Sequence, residues 1–309
     1  MTDWVSKNRN YLLRLIGTAL AAVLIFLLVQ REWVDIKDSI RKISLPVFSM
    51  ALASLLLSRI FVVLRWHVLL RSAGVQIAFS RTAELTLTGL FASNYLPTTI
   101  GGDVIRLAGA MRLGYDRAVC LASIAADRVI GMAGMACAVP FGLIPAWNVL
   151  GVYMGAQSSV LPPFYQNVLG FIRRSVQSFS IWFRQPGALL FSLLSTWGNM
   201  IFIFGSLYIL IIGLGENISY GLVAGIWSLA YFVTIIPVSI NGYGVQELSL
   251  TFLLSRVAGM APATSLTAAV LIRVLFLLAS LPGAVFLPTV LAAMSGSNED
   301  LPALPDLHE

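Results

Sequence analysis

Apolar residues fill this chain in long blocks separated by short polar breaks. A helix that crosses about 30 Å of hydrocarbon needs roughly 20 mostly apolar residues, and several blocks reach that length. The first, Leu12 to Val29, follows a basic start of Lys7, Arg9 and Arg14. It is long for a signal segment and has no small-residue cleavage site before Arg31, so it reads as a retained first helix. Arg31 to Ser44 carries both signs of charge and is expected at the surface. A second span is predicted from Pro46 to Leu70, with Arg59, Arg65 and His67 inside it.

The pattern then changes. Ala83 to Leu96 is apolar but too short to cross unaided, and it stops at Pro97-Thr98-Thr99-Ile100-Gly101-Gly102-Asp103. A short helix over Val104 to Leu113 follows, then a full span from Ala118 to Ala146 holding Asp127 and Arg128. Trp147 to Gln185 is an amphipathic connection whose aromatic residues suit the membrane interface. The second half repeats this order: a span over Ala188 to Leu214, a short apolar piece from Tyr220 to Ile236, and a break at Pro237 through Gly244. A short helix over Val245 to Arg256 and a last span from Ala263 to Val290, carrying Arg273, complete it. Laying Pro97 over Pro237 also superimposes Ile100 on Ile240 and Gly102 on Gly242. The fold expected is all-α: a polytopic membrane bundle of two related halves, each holding a Pro/Gly-broken, re-entrant element. The membrane domain is expected over residues 1–294, with a disordered acidic tail over 295–309.

Composition narrows the function classes. Of the 309 residues, 58% are hydrophobic and 11% charged, with a mean hydropathy of +0.86. Soluble domains carry about 25% charged residues, so an ordinary soluble enzyme is excluded. The formal charge is +6, and the lysines are Lys7, Lys37 and Lys42, none of which follows a Gly-rich turn. A P-loop needs such a lysine to hold phosphates, so the chain carries no P-loop of its own. Metal-ligand spacings such as HExxH or CxxC do not occur, and no catalytic constellation, metal or other cofactor is expected. Nothing points to nucleic acid.

Two features carry the candidate chemistry. Irregular backbone at membrane depth must be buried in protein or line water, and paired interrupted segments are the usual pointer to a transporter site. Helices restarting after Gly102 and Gly244 present free N–H groups to that gap. As plain surface loops the same segments would use Asp103 and Gly244 as helix caps, with Glu247 in the first turn. The second feature is the set of mid-span arginines, Arg59, Arg128 and Arg273. An arginine at the bilayer centre costs about 2.5–3.5 kcal/mol on insertion scales. Either they are buried ion pairs with Asp127, Asp103, Glu84 or Glu247, or they line a cationic cavity for an anionic head group. Asp127 shares its helix face with Ser123, Gly131 and Gly134, a strip suited to close helix approach. Arg65-Trp66 reads as an interfacial anchor.

Asn94-Tyr95-Leu96-Pro97 through Gly102, Asp103 and Arg106, together with Ala126-Asp127-Arg128, resemble the first hallmark of the lysylphosphatidylglycerol synthase transmembrane (flippase-like) family. Pro237-Val238-Ser239-Ile240-Asn241-Gly242-Tyr243-Gly244-Val245-Gln246-Glu247 is similar to its second hallmark, and the resemblance extends from about residue 10 to 292. It implies a membrane domain that moves lipids with modified head groups between leaflets. The chain ends soon after its last span, so a stand-alone member without the soluble synthase domain is expected.

The function expected is therefore lipid translocation across the cytoplasmic membrane, with the N-terminus cytoplasmic and a membrane lipid, its head group an anionic phosphate, as ligand. Arg59, Arg128 and Arg273 would contact the phosphate. Asn94, Pro97, Gly102, Asp103, Arg106, Asp127, Pro237, Asn241, Gly242, Gly244 and Glu247 would complete the site. The rival expectation is an accessory protein or transferase in lipid-linked glycan or lipid modification, using Asp103 or Glu247, or a partner of a separately encoded lipid-modifying enzyme.

Overall fold

The computed structural model describes residues 19–95, 101–154, 185–235 and 239–295, and the described residues contain helices and no strand. Pro97, Pro237, most of the 147–185 connection and all but the first residue of the acidic tail lie outside them. The helices are α1 (Ala19–Arg31), α2 (Trp33–Lys42), α3 (Leu45–Ser72), α4 (Phe79–Tyr95), α5 (Gly101–Arg112) and α6 (Arg117–Met154). In the second half come α7 (Pro186–Gly213), α8 (Tyr220–Ile235), α9 (Val245–Arg256), α10 (Pro262–Ser280) and α11 (Pro282–Ser295). Four of them, α3, α6 over Arg117–Trp147, α7 and α10, are long and apolar enough to cross a membrane. The expected helical membrane bundle is what the structure shows.

The elements start and stop at the punctuation the sequence provides. Pro46, Pro186 and Pro262 sit in the first turns of α3, α7 and α10, where a missing N–H leaves no bond unmade. Gly74 after α3 and Gly215 after α7 take φ of 88° and 86°, and Gly114 after α5 and Gly259 after α9 take 82° and 71°. Glycine reaches that left-handed region without steric penalty, so equivalent helices in the two halves end by the same device. α6 runs through Pro140 and Pro145 and on past the predicted end at Ala146 to Met154, and the final predicted span divides at Leu281 into α10 and α11.

Packing repeats between the halves. α4 packs on α5 and α8 on α9; α5 packs on α6 and α9 on α10; α8 lies along α6 as α4 lies along α10 and α11. The largest contact is between the two equivalent first helices, α3 and α7, and they run antiparallel. Ser54 Oγ donates to the Phe202 carbonyl and Ser206 Oγ to the Ala51 carbonyl, each at 2.8 Å. A Cβ on Gly198 would meet the Phe61 ring and one on Gly213 would meet Val47, so position numbers fall along α7 as they rise along α3. Equivalent helices that cross antiparallel are related by an axis perpendicular to both. The halves are an inverted repeat.

The broken elements are re-entrant hairpins. Leu85 faces Gly109, Gly89 faces Arg106, and Ser93 faces Gly102, so α4 and α5 run antiparallel. The Tyr115 hydroxyl donates to the Gln76 carbonyl at 2.9 Å, which returns the end of α5 to the side where α4 began. That side is the C-terminal end of α3. The second hairpin begins at the C-terminal end of α7, which lies beside the start of α3. The two hairpins therefore enter from opposite ends of the bundle.

Candidate functional site

The hairpin tips meet. The side-chain amide of Asn241 donates to the Ser93 carbonyl and the Tyr243 hydroxyl to the Asn94 carbonyl. The tip backbone is tightly turned, with Asn241, Gly242 and Gly244 at φ of 53°, 71° and 79°. In the first hairpin, a Cβ on Gly102 would lie 2.0 Å from Ser93 Oγ and 2.4 Å from the Gly89 carbonyl. A residue with a side chain there would force the two legs apart.

Beside the tips lies a cavity of about 350 Å³ between the halves. Among the predicted site residues Arg59, Asn94, Asn241 and Arg273 line it, and Arg65, Thr196, Asn199 and Tyr231 join them. Arg59 is 6% exposed, and its Nε and one terminal nitrogen have no hydrogen-bond partner among the described residues. Its guanidinium lies 4.7 Å from the Phe276 ring centroid, a cation–π contact that supplies no counter-charge. Asn199 carries a buried side-chain oxygen that is also unpartnered among the described residues. On the 140-residue offset that superimposes the proline breaks, Asn199 is the counterpart of Arg59. That offset could have revealed it from sequence.

The other arginines are paired with acids, three of them sharing two aspartates. Arg65 Nε donates to Asp127 Oδ1 at 2.6 Å, and both terminal nitrogens of Arg106 donate to Asp127 Oδ2 at 3.2 Å. Arg106 also lies 3.4 Å from Asp103, whose second oxygen pairs with Arg128. This chain of five charges ties α3, α5 and α6 together. Asp103 is thus no helix cap: it sits in the first turn of α5 and holds two arginines. In the second half, Arg273 pairs with Glu247 and donates to Gln246 Oε1 at 2.8 Å, while its guanidinium lies 4.8 Å from the Tyr243 ring centroid. The Gly244 N–H donates to Glu247 Oε2 at 2.7 Å. Each long-helix arginine, Arg128 and Arg273, therefore grips the acid in the first turn of the short helix before it.

Arg65 and Trp66 are not an interfacial anchor. Arg65 is 8% exposed and Trp66 fully buried, with the indole N–H donating to Ser123 Oγ at 3.1 Å and Arg106 stacked 4.1 Å from the ring centroid. A buried acid outbids the interface for Arg65, because an isolated Asp127 in hydrocarbon would cost far more. Gly131 leaves room for the Arg65 guanidinium, where a Cβ would come within 3.2 Å of it. Gly102, Asp103, Arg106, Asp127 and Arg128 thus stand behind the first tip, and Gly242, Gly244 and Glu247 build the second. Gly244 and Tyr243 also border an apolar groove under α1, with Ala22, Ile25, Phe26 and Val29.

The family described as Lysylphosphatidylglycerol synthase TM region matches residues 14–283 of the chain. No curated protein matches it.

Proposed function

The chain belongs to the lysylphosphatidylglycerol synthase TM-region family, and from that premise we propose that this multi-pass membrane protein moves an anionic lipid between leaflets. One observation carries the reading: a buried guanidinium, Arg59, which has no acid paired with it among the described residues, faces a cavity where two oppositely inserted hairpins meet. A cation desolvated without a partner is unfavourable, and a phosphate brought into the cavity supplies the missing charge through charge-assisted hydrogen bonds. Inverted repeats with broken helices are how transporters present one central site to either side. Of the three arginines the sequence nominates, Arg59 takes the phosphate, whereas Arg128 and Arg273 hold the hairpins. The transferase alternative is disfavoured because Asp103 and Glu247, its acids, are both committed to ion pairs.

The test is leaflet exchange of tail-labelled anionic phospholipid by the purified chain in vesicles. Arg59→Gln removes an ionic hydrogen bond worth about 1.5–3 kcal/mol and should slow exchange by roughly tenfold or more. The variant should keep the parent melting temperature or exceed it, since the lost charge was unpaired. Exchange by the parent no faster than in protein-free vesicles would refute translocation.

A further inference from the structure

Two contacts pin α1 to the bundle and leave a groove between them. At one, Ala21 closes on Gly244, where a Cβ would lie 2.4 Å from that of Ala21. At the other, Leu28 and Val29 pack with Ile36, Ala263 and Leu266. The groove between, about 370 Å³, is bordered by Ala22, Ile25, Phe26 and Val29 on α1 and by Tyr243 and Gly244 at the second hairpin tip. The four α1 positions are spaced i, i+3, i+4 and i+7, which is a single helix face. Leu20, Leu24 and Leu27 lie on the opposite face and are exposed. α1 therefore turns one apolar face to the bilayer and another to the hairpin tip.

The polar groups at the inner end of the groove are already spent. The Tyr243 hydroxyl donates to the Asn94 carbonyl, the Gly244 N–H donates to Glu247, and the Gly244 carbonyl accepts from the Leu248 N–H. A water held in protein needs about two to four polar partners; a hydrocarbon chain needs none. The polar cavity begins on the far side of the same residue. The Tyr243 ring centroid lies 4.8 Å from the Arg273 guanidinium, and Arg273 and Asn94 both line that cavity. Tyr243 is thus a partition one side chain thick, with a polar pocket on one side and an apolar groove on the other. That juxtaposition matches an amphipathic molecule. A lipid that places its head group in the cavity must keep its chains in apolar surroundings. Resting on the translocation reading, we infer that the groove between α1 and the second hairpin tip holds one acyl chain of the transported lipid. α1 is the wall of that chain site, and Tyr243 separates chain from head group.

Photolabelling and leaflet exchange, measured in the same vesicles, test this. The purified full-length chain is placed in phosphatidylglycerol vesicles with a trace of phosphatidylglycerol carrying a diazirine midway along one acyl chain. Bilayer lipid around the protein should label Leu24 and Leu27, and a chain in the groove should label Tyr243. Ile25→Trp fills the groove, and crowding of that kind should lower the Tyr243 label by about tenfold while Leu24 and Leu27 keep theirs. Exchange should slow by a similar factor. Ala22→Phe fills the groove from its other end and makes the same test should Ile25→Trp fail to fold. An unlabelled Tyr243 in the parent, or a Tyr243 label that survives both substitutions, overturns the chain site. So does exchange at the parent rate once the groove is filled. Groove labelling in a parent that exchanges no lipid would keep the chain site and discard translocation, whereas exchange with Tyr243 unlabelled would do the reverse.

Discussion

Asp127 and Arg128 are neighbours in sequence but belong to different electrostatic circumstances. Both oxygens of Asp127 are consumed by two buried arginines. Removing its charge strands Arg65 and Arg106, so Asp127→Asn should destabilise the protein by about 3–5 kcal/mol. Arg128 is different: its side chain is 56% exposed, and Asp103 keeps Arg106 nearby when it is lost. Arg128→Gln should therefore cost about 0–1 kcal/mol. Melting temperatures of the two variants in one detergent compare them, and equal losses would refute the division. The sequence makes Arg59, Arg128 and Arg273 conspicuous because charges interrupt apolar runs. It does not say which one lacks a partner, since Arg65–Asp127 and Arg128–Asp103 join positions 62 and 25 residues apart. Arg65 reads as an anchor for the same reason: its burial is created by another helix.

At the level of elements, the hairpins are held by small residues as much as by charge. α6 and α8 approach until a Cβ on Gly225 would lie 1.9 Å from the Gly142 backbone nitrogen. No rotamer change relieves a clash with backbone, so Gly225→Ala must separate the helices, at a cost of about 1–3 kcal/mol or more. Gly187, with nothing within 4 Å of its notional Cβ, is the control: Gly187→Ala should be neutral or slightly stabilising, by up to about 1 kcal/mol. Thermal unfolding of both variants decides. The breaks themselves are legible from Pro97, Gly102, Pro237 and Gly244. That they are hairpins and not spans is not, because a 17-residue helix that stops at a proline fits either; the Tyr115–Gln76 contact settles it for the first.

For the whole molecule, the inverted relation makes a topological prediction. The turn after α3 and the turn after α7 lie at opposite ends of the bundle, so exposed Gln76 and Asn217 should face opposite sides of the membrane. In a background lacking Cys120 and Cys137, Gln76→Cys and Asn217→Cys should react with an impermeant thiol reagent from opposite sides. Labelling of both from one side would overturn the inverted arrangement. A 140-residue offset is compatible with parallel or inverted halves alike. The sign depends on how the connection between them crosses, and a run of Arg and aromatic residues does not specify that.

Antiparallel crossing of α3 and α7 brings Arg59 and Asn199 level with each other at the pseudo-two-fold. A group on such an axis meets its own counterpart, so identical halves would set two guanidiniums face to face. Two unit charges at 4 Å repel by about 4 kcal/mol at an effective dielectric constant of 20. A strictly symmetric version of this bundle could thus carry either two mutually repelling cations at its centre or none. A lone cation at the crossing requires the halves to differ at this one pair of positions, and Arg59 opposite Asn199 is that difference. Symmetry gives the bundle two equivalent ends; its local violation sets the charge at the centre.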